Sequence, residues 1–132
     1  MTTRHASCSC GQLSVTCEGE PVRISVCHCL NCKRRSGSAF AAQARFPIAN
    51  VVISGDACTF EIEGDSGSVA EFHFCATCGA TVYYFSRPDR DLIAIPIGAF
   101  ADPQFPSPNY SVYEGRMHDW VRIEGDEIER MD

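Results

Sequence analysis

The arrangement of cysteines constrains this chain more than any other feature of its sequence. Nine cysteines occur in 132 residues, and seven of them fall into three short groups. The groups are Cys8 and Cys10, then Cys27, Cys29 and Cys32, and finally Cys75 and Cys78. A disulfide framework is not expected, because the count is odd and the first residues contain no apolar export signal. We therefore expect a cytoplasmic protein whose clustered thiols bind metal or carry out thiol chemistry.

Length and composition predict a single globular domain over residues 1–132. Hydrophobic residues make up 45% of the chain and charged residues 21%, which excludes a disordered or fibrous protein. The longest apolar runs span only a few residues, so no membrane-spanning segment is expected. The net charge of −6 argues against nucleic acid or an anionic membrane surface as the main partner.

Charge is distributed unevenly along the chain. Residues 21–55 contain no aspartate or glutamate and have five basic residues, whereas the other six basic and 17 acidic residues give −11. The five basic residues are Arg23, Lys33, Arg34, Arg35 and Arg45. Two interpretations fit this stretch: a solvated basic face, or an anion-binding surface beside the middle cysteine group.

Apolar and polar residues alternate in four stretches, the pattern of half-buried β-strands. These stretches are 13–17, 22–26, 58–62 and 70–74. Residues 80–85 and 92–97 are richer in apolar residues and predict central strands. Turn sequences at 19–21, 54–56, 64–67 and 87–89 separate the strands, and 100–108 is predicted to be a loop. Apart from a short helical turn expected after Cys32, the fold class is therefore all-β, a small protein of antiparallel sheets.

The spacing of the cysteines indicates which of them can share a metal ion. Side chains two residues apart in an extended segment point to the same face, so Cys8 can converge with Cys10, and Cys27 with Cys29. The same rule turns His28 away from the ion. Cys75 and Cys78 have the spacing of a tight turn in which both sulfurs face one metal.

Seven clustered thiols divide naturally into four and three. A closed structural zinc site takes four ligands, and a catalytic site takes three with one exchangeable position. Cys8 and Cys10 with Cys75 and Cys78 would form the closed site, and the middle group the open one. Spacing alone leaves other groupings open, such as Cys8 and Cys10 joining the middle group. All-sulfur ligation favours zinc.

Three motifs in this order resemble the glutathione-dependent formaldehyde-activating enzyme family (the Gfa and centromere-protein-V domain). They are CSCG at 8–11, CHCLNCKRRSGS at 27–38 and FCATCG at 74–79. The resemblance implies a β-tent fold of packed antiparallel sheets with two zinc ions. It also implies a structural zinc on Cys8, Cys10, Cys75 and Cys78, and a catalytic zinc on Cys27, Cys29 and Cys32. The family reaction joins glutathione to formaldehyde, giving S-hydroxymethylglutathione, and is classed with the carbon–sulfur lyases.

The residues around the middle group fit that chemistry. A thiol that takes the fourth position on a three-cysteine zinc loses its proton there and can attack a small aldehyde. Lys33, Arg34 and Arg35 are the leading candidates to hold the carboxylates of glutathione, because arginine pairs with carboxylates through two hydrogen bonds. Ser36 and Ser38 are candidates to offer hydroxyl groups. The alternative for these five residues is a solvated helix face followed by a turn.

Residues outside the three groups receive structural interpretations. Cys17 and Cys58 lie on the apolar sides of their predicted strands, which predicts core packing. His73 is expected on a solvated face, and Trp120 is expected to anchor the core or line a pocket.

Two other functions remain in competition with the enzyme. In a non-enzymatic zinc module, both ions are structural and the middle group gains a fourth protein ligand, supplied by Cys17, Cys58, His28 or His73. In a thiol redox enzyme, Cys75 and Cys78 form a reactive pair.

Overall fold

A computed structural model describes residues 1–64 and 66–132. Across these residues the chain forms β-strands, one α-helix and short 3-10 helices at Ile48–Asn50, Ile97–Phe100 and Glu114–Arg116. The strands are β1 Thr3–Ser7, β2 Ser14–Glu18, β3 Arg23–Cys27, β4 Ala41–Pro47, β5 Val51–Ser54, β6 Ala57–Glu63, β7 Val69–Cys75, β8 Thr81–Arg87, β9 Leu92–Pro96, β10 Tyr110–Val112 and β11 Glu129–Arg130. The helix, α1, is Leu30–Ser36. The predicted all-β class is confirmed, while the predicted turn at 64–67 includes Asp65, which lies outside the described residues.

The described strands form two sheets. The smaller sheet has the order β1-β2-β5, and the larger has the order β11-β10-β3-β4-β9-β8-β7-β6. Most neighbours pair antiparallel, as predicted, but β10 runs parallel to both β3 and β11. The predicted antiparallel sheets therefore include parallel pairing at this edge.

The core lies under the central strands of the larger sheet and the inner face of the smaller one. Its most buried large side chains include Phe46 of β4 and Ile93 and Ile95 of β9, together with Leu13 and Val15 beside and in β2. Each such side chain contributes roughly 1.5–3 kcal/mol by leaving water. The two apolar stretches predicted as central strands are β8 and β9, and both lie inside the sheet order. The predicted loop follows the 3-10 helix that ends at Phe100.

Three side-chain predictions, for Cys58, Trp120 and His73, are wrong because the burial of these side chains depends on contacts with residues distant in sequence. Cys58 is exposed, as is Phe60, since β6 is the last strand of its sheet. Trp120 is 74% exposed, so it anchors no core, and it is not among the described residues that line a cavity. His73 stacks on Tyr83 with ring centroids 4.4 Å apart, and its Nε2 lies 2.7 Å from a carboxylate oxygen of Glu71. Cys17 is buried in the core, as predicted.

The helix α1 begins earlier than the predicted turn because a cysteine caps it. Cys29 is the N-cap, and its sulfur accepts a hydrogen bond from the backbone N–H of Cys32 at 3.3 Å. Gly37 ends the helix with φ of 67°, in the left-handed region that glycine adopts without strain. No helix in the described part of the chain is long and apolar enough to span a membrane.

Candidate metal centres and active site

Four cysteines from two distant turns form the first cluster. Cys8 and Cys10 follow β1, Cys75 ends β7 and Cys78 lies in the turn between β7 and β8; all four sulfurs lie within 4.8 Å of one another. Cys10 Sγ is 3.6 Å from the sulfurs of both Cys8 and Cys75. Zinc–sulfur bonds of about 2.3 Å in a tetrahedron put the sulfurs about 3.8 Å apart, so this donor set fits a four-coordinate ion.

Backbone N–H groups and one side chain hold the first cluster. Leu13 N donates to Cys8 Sγ at 3.3 Å, and Gln12 Nε2 donates to Cys75 Sγ at 3.1 Å. Hydrogen bonds from Cys78 N and then Gln12 lower the pKa of Cys75 to about 5. Since the thiolate is the form that binds metal, this environment favours the ligand state. Four convergent sulfurs also argue against Cys75 and Cys78 acting as an isolated redox pair.

The second cluster consists of neighbours in sequence. Cys27 ends β3, Cys29 caps α1 and Cys32 lies in its first turn, with their sulfurs within 4.8 Å of one another. A hydrogen bond from the Cys32 thiol lowers the pKa of Cys27 to about 6. Among the described residues, no histidine, fourth cysteine or carboxylate joins this group.

The fourth ligand expected for a non-enzymatic zinc module is therefore not found in the described chain. His28 points away from the cluster, as predicted: it is fully buried and its Nε2 lies 3.0 Å from Ser111 Oγ. Neither Cys17, Cys58 nor His73 belongs to the group.

A cavity of about 230 Å³ opens beside the second cluster. Arg23, Ser25 and Cys27 alternate along β3 and all line it, so the arginine and the cysteine mark its length. Four residues of strand separate their Cα atoms by roughly 13 Å. The volume lies just below the roughly 300–1,000 Å³ of pockets that hold small-molecule ligands.

Three arginines give the cavity a positive wall. Arg23, Arg35 and Arg45 line it, and none of the described lining residues is acidic. Arg35 lies over the rings of Phe72 and Tyr84, at 4.9 and 5.2 Å from their centroids. Burial raises the pKa of Tyr84 to about 12, so its hydroxyl keeps its proton at neutral pH.

The five predicted substrate-binding residues separate in the structure. Arg35 lines the cavity, whereas the residues that line it in the described chain do not include Lys33, Arg34, Ser36 or Ser38. Lys33 Nζ donates to the carbonyl oxygen of Arg116, and Arg34 is exposed. Ser36 Oγ donates to the carbonyl oxygen of Cys32 at 2.7 Å and accepts from the N–H of Ser38. A role for these four in substrate binding stays a prediction.

Sequence reasoning missed the residues on the strand floor of the cavity. The sequence pattern marks Arg23 and Arg45 only as members of the acid-free stretch, and it assigns no role to Gln43 or Tyr84. The period of two that connects Arg23, Ser25 and Cys27 would have found the first of them. Gln43 and Tyr84 become visible only through the pairing of β3 with β4 and of β8 with its neighbours.

Comparisons with known proteins agree with this geometry. The model of the family described as glutathione-dependent formaldehyde-activating enzyme matches residues 3–116. The chain belongs to this family. A crystal structure of a Rhodobacter sphaeroides protein has a similar fold, with a TM-score of 0.56 and 20% identity, covering 72% of this chain and 85% of that one. No curated protein matches the chain.

Proposed function

We propose that this member of the formaldehyde-activating family adds the thiol of glutathione to formaldehyde at the second cysteine cluster. The observation that carries the proposal is a group of three converging sulfurs, without a fourth described ligand, on the wall of an arginine-lined cavity. Family membership supports the same substrates. The cytoplasmic location stays a prediction.

Both clusters fit zinc through their donor chemistry. Cys8, Cys10, Cys75 and Cys78 would hold a structural ion, and Cys27, Cys29 and Cys32 a catalytic one. Zinc held by three thiolates supplies an exchangeable position at which the pKa of an incoming thiol is lowered.

The residues of the cavity would bind and orient the substrates. Arg23, Arg35 and Arg45 are the cations that face it, and they suit the two carboxylates of glutathione. The Tyr84 hydroxyl has no hydrogen-bond partner among the described residues and lines the same cavity as Cys27. In the proposed reaction it donates a proton to the aldehyde oxygen while the carbon–sulfur bond forms.

The proposed reaction is balanced without an oxidant or reductant. One bond forms between the thiol sulfur and the carbonyl carbon, and the carbon–oxygen π bond breaks. The thiol loses one proton and the carbonyl oxygen gains one, which gives the S-hydroxymethyl product. Run in reverse, the same reaction cleaves a carbon–sulfur bond, which is the lyase assignment.

Cobalt substitution tests the exchangeable position directly. We expect millimolar glutathione to change the thiolate-to-cobalt absorption of the loaded protein, and zinc-loaded protein to accelerate product formation measured by ¹³C exchange NMR. Cys29→Ser should lose both responses, and Cys58→Ser, which alters an exposed cysteine outside both clusters, should keep them. An unchanged cobalt spectrum in the unsubstituted protein would rule out the proposal.

A further inference from the structure

Two arginines face each other across the floor of the cavity. Arg23 of β3 and Arg45 of β4 are directly opposed in the antiparallel register, and both line the cavity. Like charges directly opposite in a sheet repel each other. Neither arginine forms an ion pair with any residue in 1–64 or 66–132. An arrangement of this kind is stabilised by an anion that bridges the pair.

Burial increases the need for such an anion. Desolvation, followed by the charge of Arg45, lowers the pKa of Arg23, and the Nε of Arg23 is buried without a hydrogen-bond partner. Asp89 lines a smaller cavity that shares both arginines, but its carboxylate, which accepts from the backbone N–H of Asp91 at 2.9 Å, forms no ion pair with either of them. The guanidinium groups therefore keep donors available toward a ligand.

A neighbouring glutamine lacks a hydrogen-bond donor, whereas the two arginines lack an acceptor. Gln43, 2% exposed, donates from Nε2 to Ser25 Oγ at 2.7 Å, and Ser25 also accepts from Arg45 at 3.0 Å. These bonds fix the amide so that Oε1 is its remaining acceptor, and this oxygen is buried with no partner. A buried acceptor of this kind in a cavity wall calls for an N–H donor from a ligand.

We propose that Arg23, Arg45 and Gln43 form a subsite that binds a carboxylate and a nearby N–H group of the thiol substrate. The inference rests on the proposed function for the reacting end of that substrate. It restricts the substrate class to peptide-like thiols with a free carboxylate and excludes small neutral thiols. Roughly 13 Å of strand separates the Cα atoms of Arg23 and Cys27, and three extended residues span about 10 Å, so a tripeptide thiol joins the two ends if the long Arg23 side chain covers the remaining distance.

Ophthalmic acid, the glutathione analogue without sulfur, tests the subsite apart from the chemistry. Calorimetric titration of the zinc-loaded protein should show binding. Arg23→Gln should weaken the affinity roughly ten- to a hundredfold, which is the loss expected when a hydrogen bond to a charged group is removed. Gln43→Leu should weaken it about tenfold. Arg122→Gln removes an exposed arginine that is not among the described cavity-lining residues and should bind like the unsubstituted protein.

A stability measurement separates ligand binding from a structural role. Because the Arg23–Arg45 repulsion is relieved, Arg23→Gln should melt at the same or a higher temperature than the unsubstituted protein when no ligand is present. Arg23→Lys, which keeps the charge and loses the paired donors, should bind with intermediate affinity and gives a second test should Arg23→Gln fail to fold.

Two results would overturn the subsite: no binding of ophthalmic acid to the unsubstituted protein, or equal binding by the Arg23 and Arg122 variants. Arginine-dependent binding of ophthalmic acid by a protein that does not add thiols to formaldehyde would support the subsite and contradict the proposed reaction. Catalysis that is equally efficient with mercaptoethanol and glutathione would contradict the subsite and leave the reaction standing.

Discussion

The two cysteine clusters offer the same ligand atom, but they differ in how the chain connects their members. The first joins Cys10 to Cys75 across 65 positions of sequence, whereas the second is confined to residues 27–32. A cross-link between distant segments removes more conformational freedom from the unfolded chain than a local one does. The first cluster can therefore stabilise the fold, while the second can lose or exchange ligands at little cost to it.

The residues around the two clusters also differ: those around the first hold its sulfurs, and those around the second line a cavity. Around the first, neutral groups such as Gln12 and backbone N–H groups approach the sulfurs and fix them. The second borders a cavity that three arginines and a tyrosine also line. The first environment is complete, whereas the second presents unpaired donors and an unpaired acceptor that a substrate can use.

Removing one sulfur from each cluster should give the largest contrast. Cys75→Ser should destabilise the protein by at least about 4 kcal/mol, a fraction of the roughly 10–16 kcal/mol by which zinc stabilises small metal-dependent folds. Cys29→Ser should change stability by less than about 1 kcal/mol, because serine can still cap α1, and should lower thiol addition at least about 100-fold. Thermal unfolding, zinc content and ¹³C exchange NMR measure these effects.

Equal loss of stability in the two variants would contradict the division of roles. Cys58→Ser is the matched control, because the substituted sulfur is exposed and belongs to neither cluster. It should leave both unfolding and activity unchanged.

Gly55→Ala should give the next largest effect and act on the first cluster alone. Gly55 has φ of 102°, and an added Cβ would lie 1.9 Å from the carbonyl oxygen of Gln12, the residue that holds Cys75. We expect a loss of about 3 kcal/mol or more, since backbone strain and a clash with backbone add together. Chemical denaturation measures it, with activity per folded molecule expected to stay constant.

Gly79→Ala provides the control for that substitution. Gly79 has a similar φ of 81°, but an added Cβ would meet nothing within 4 Å. Its cost should be limited to backbone strain of about 1 kcal/mol. A larger effect at Gly79 than at Gly55 would show that the contact with Gln12 does not hold the first cluster.

The sequence predicts the members of each cluster well because short-range geometry determines them. Spacing of one or two residues brings the sulfurs of each motif together whatever the rest of the fold does. Joining the first and last motifs is a long-range event, and the family resemblance, not the spacing, favoured that grouping over the alternatives. The alternation of β2 and the apolar runs of β8 and β9 likewise report local burial.

Errors arise where burial depends on neighbours distant in sequence. The pattern around Cys58 is that of a half-buried strand, yet β6 is an edge strand, and Cys58 and Phe60 remain exposed. His73 has an apolar neighbour on each side, and its burial comes from Tyr83 on the next strand. The basic residues of α1 are consecutive, so the sequence alone indicates an anion-binding surface there. Arg23 and Arg45 are 22 positions apart and come together only through strand pairing.

Tyr84→Phe should sharpen the comparison by affecting the second cluster alone. Loss of the proton donor should lower the rate of thiol addition about 100-fold, with little change in ophthalmic acid binding or stability. Because the pKa of Tyr84 is raised to about 12, its contribution should be constant from pH 6 to 9 and decline only above pH 11. Rate measurements across this range check it; Tyr83→Phe, on the same strand but not among the described cavity-lining residues, is the control.

Gln12→Ala should have the smallest effect, confined to the first cluster. The Gln12 amide donates to Cys75 Sγ and the Asp56 carbonyl and accepts from the Asp56 N–H, connecting the metal turn to the start of β6. These bonds are partly exposed, so we expect the free energy of unfolding to fall by about 1 kcal/mol and the affinity for one of two zinc ions to weaken 10- to 100-fold.

Competition with a chromogenic chelator measures the affinity, and Gln104→Ala at an exposed loop position is the matched control. Weakening of the zinc that responds to glutathione, instead of the other ion, would mean that the two clusters are coupled, because nothing in the contacts of Gln12 reaches Cys27, Cys29 or Cys32.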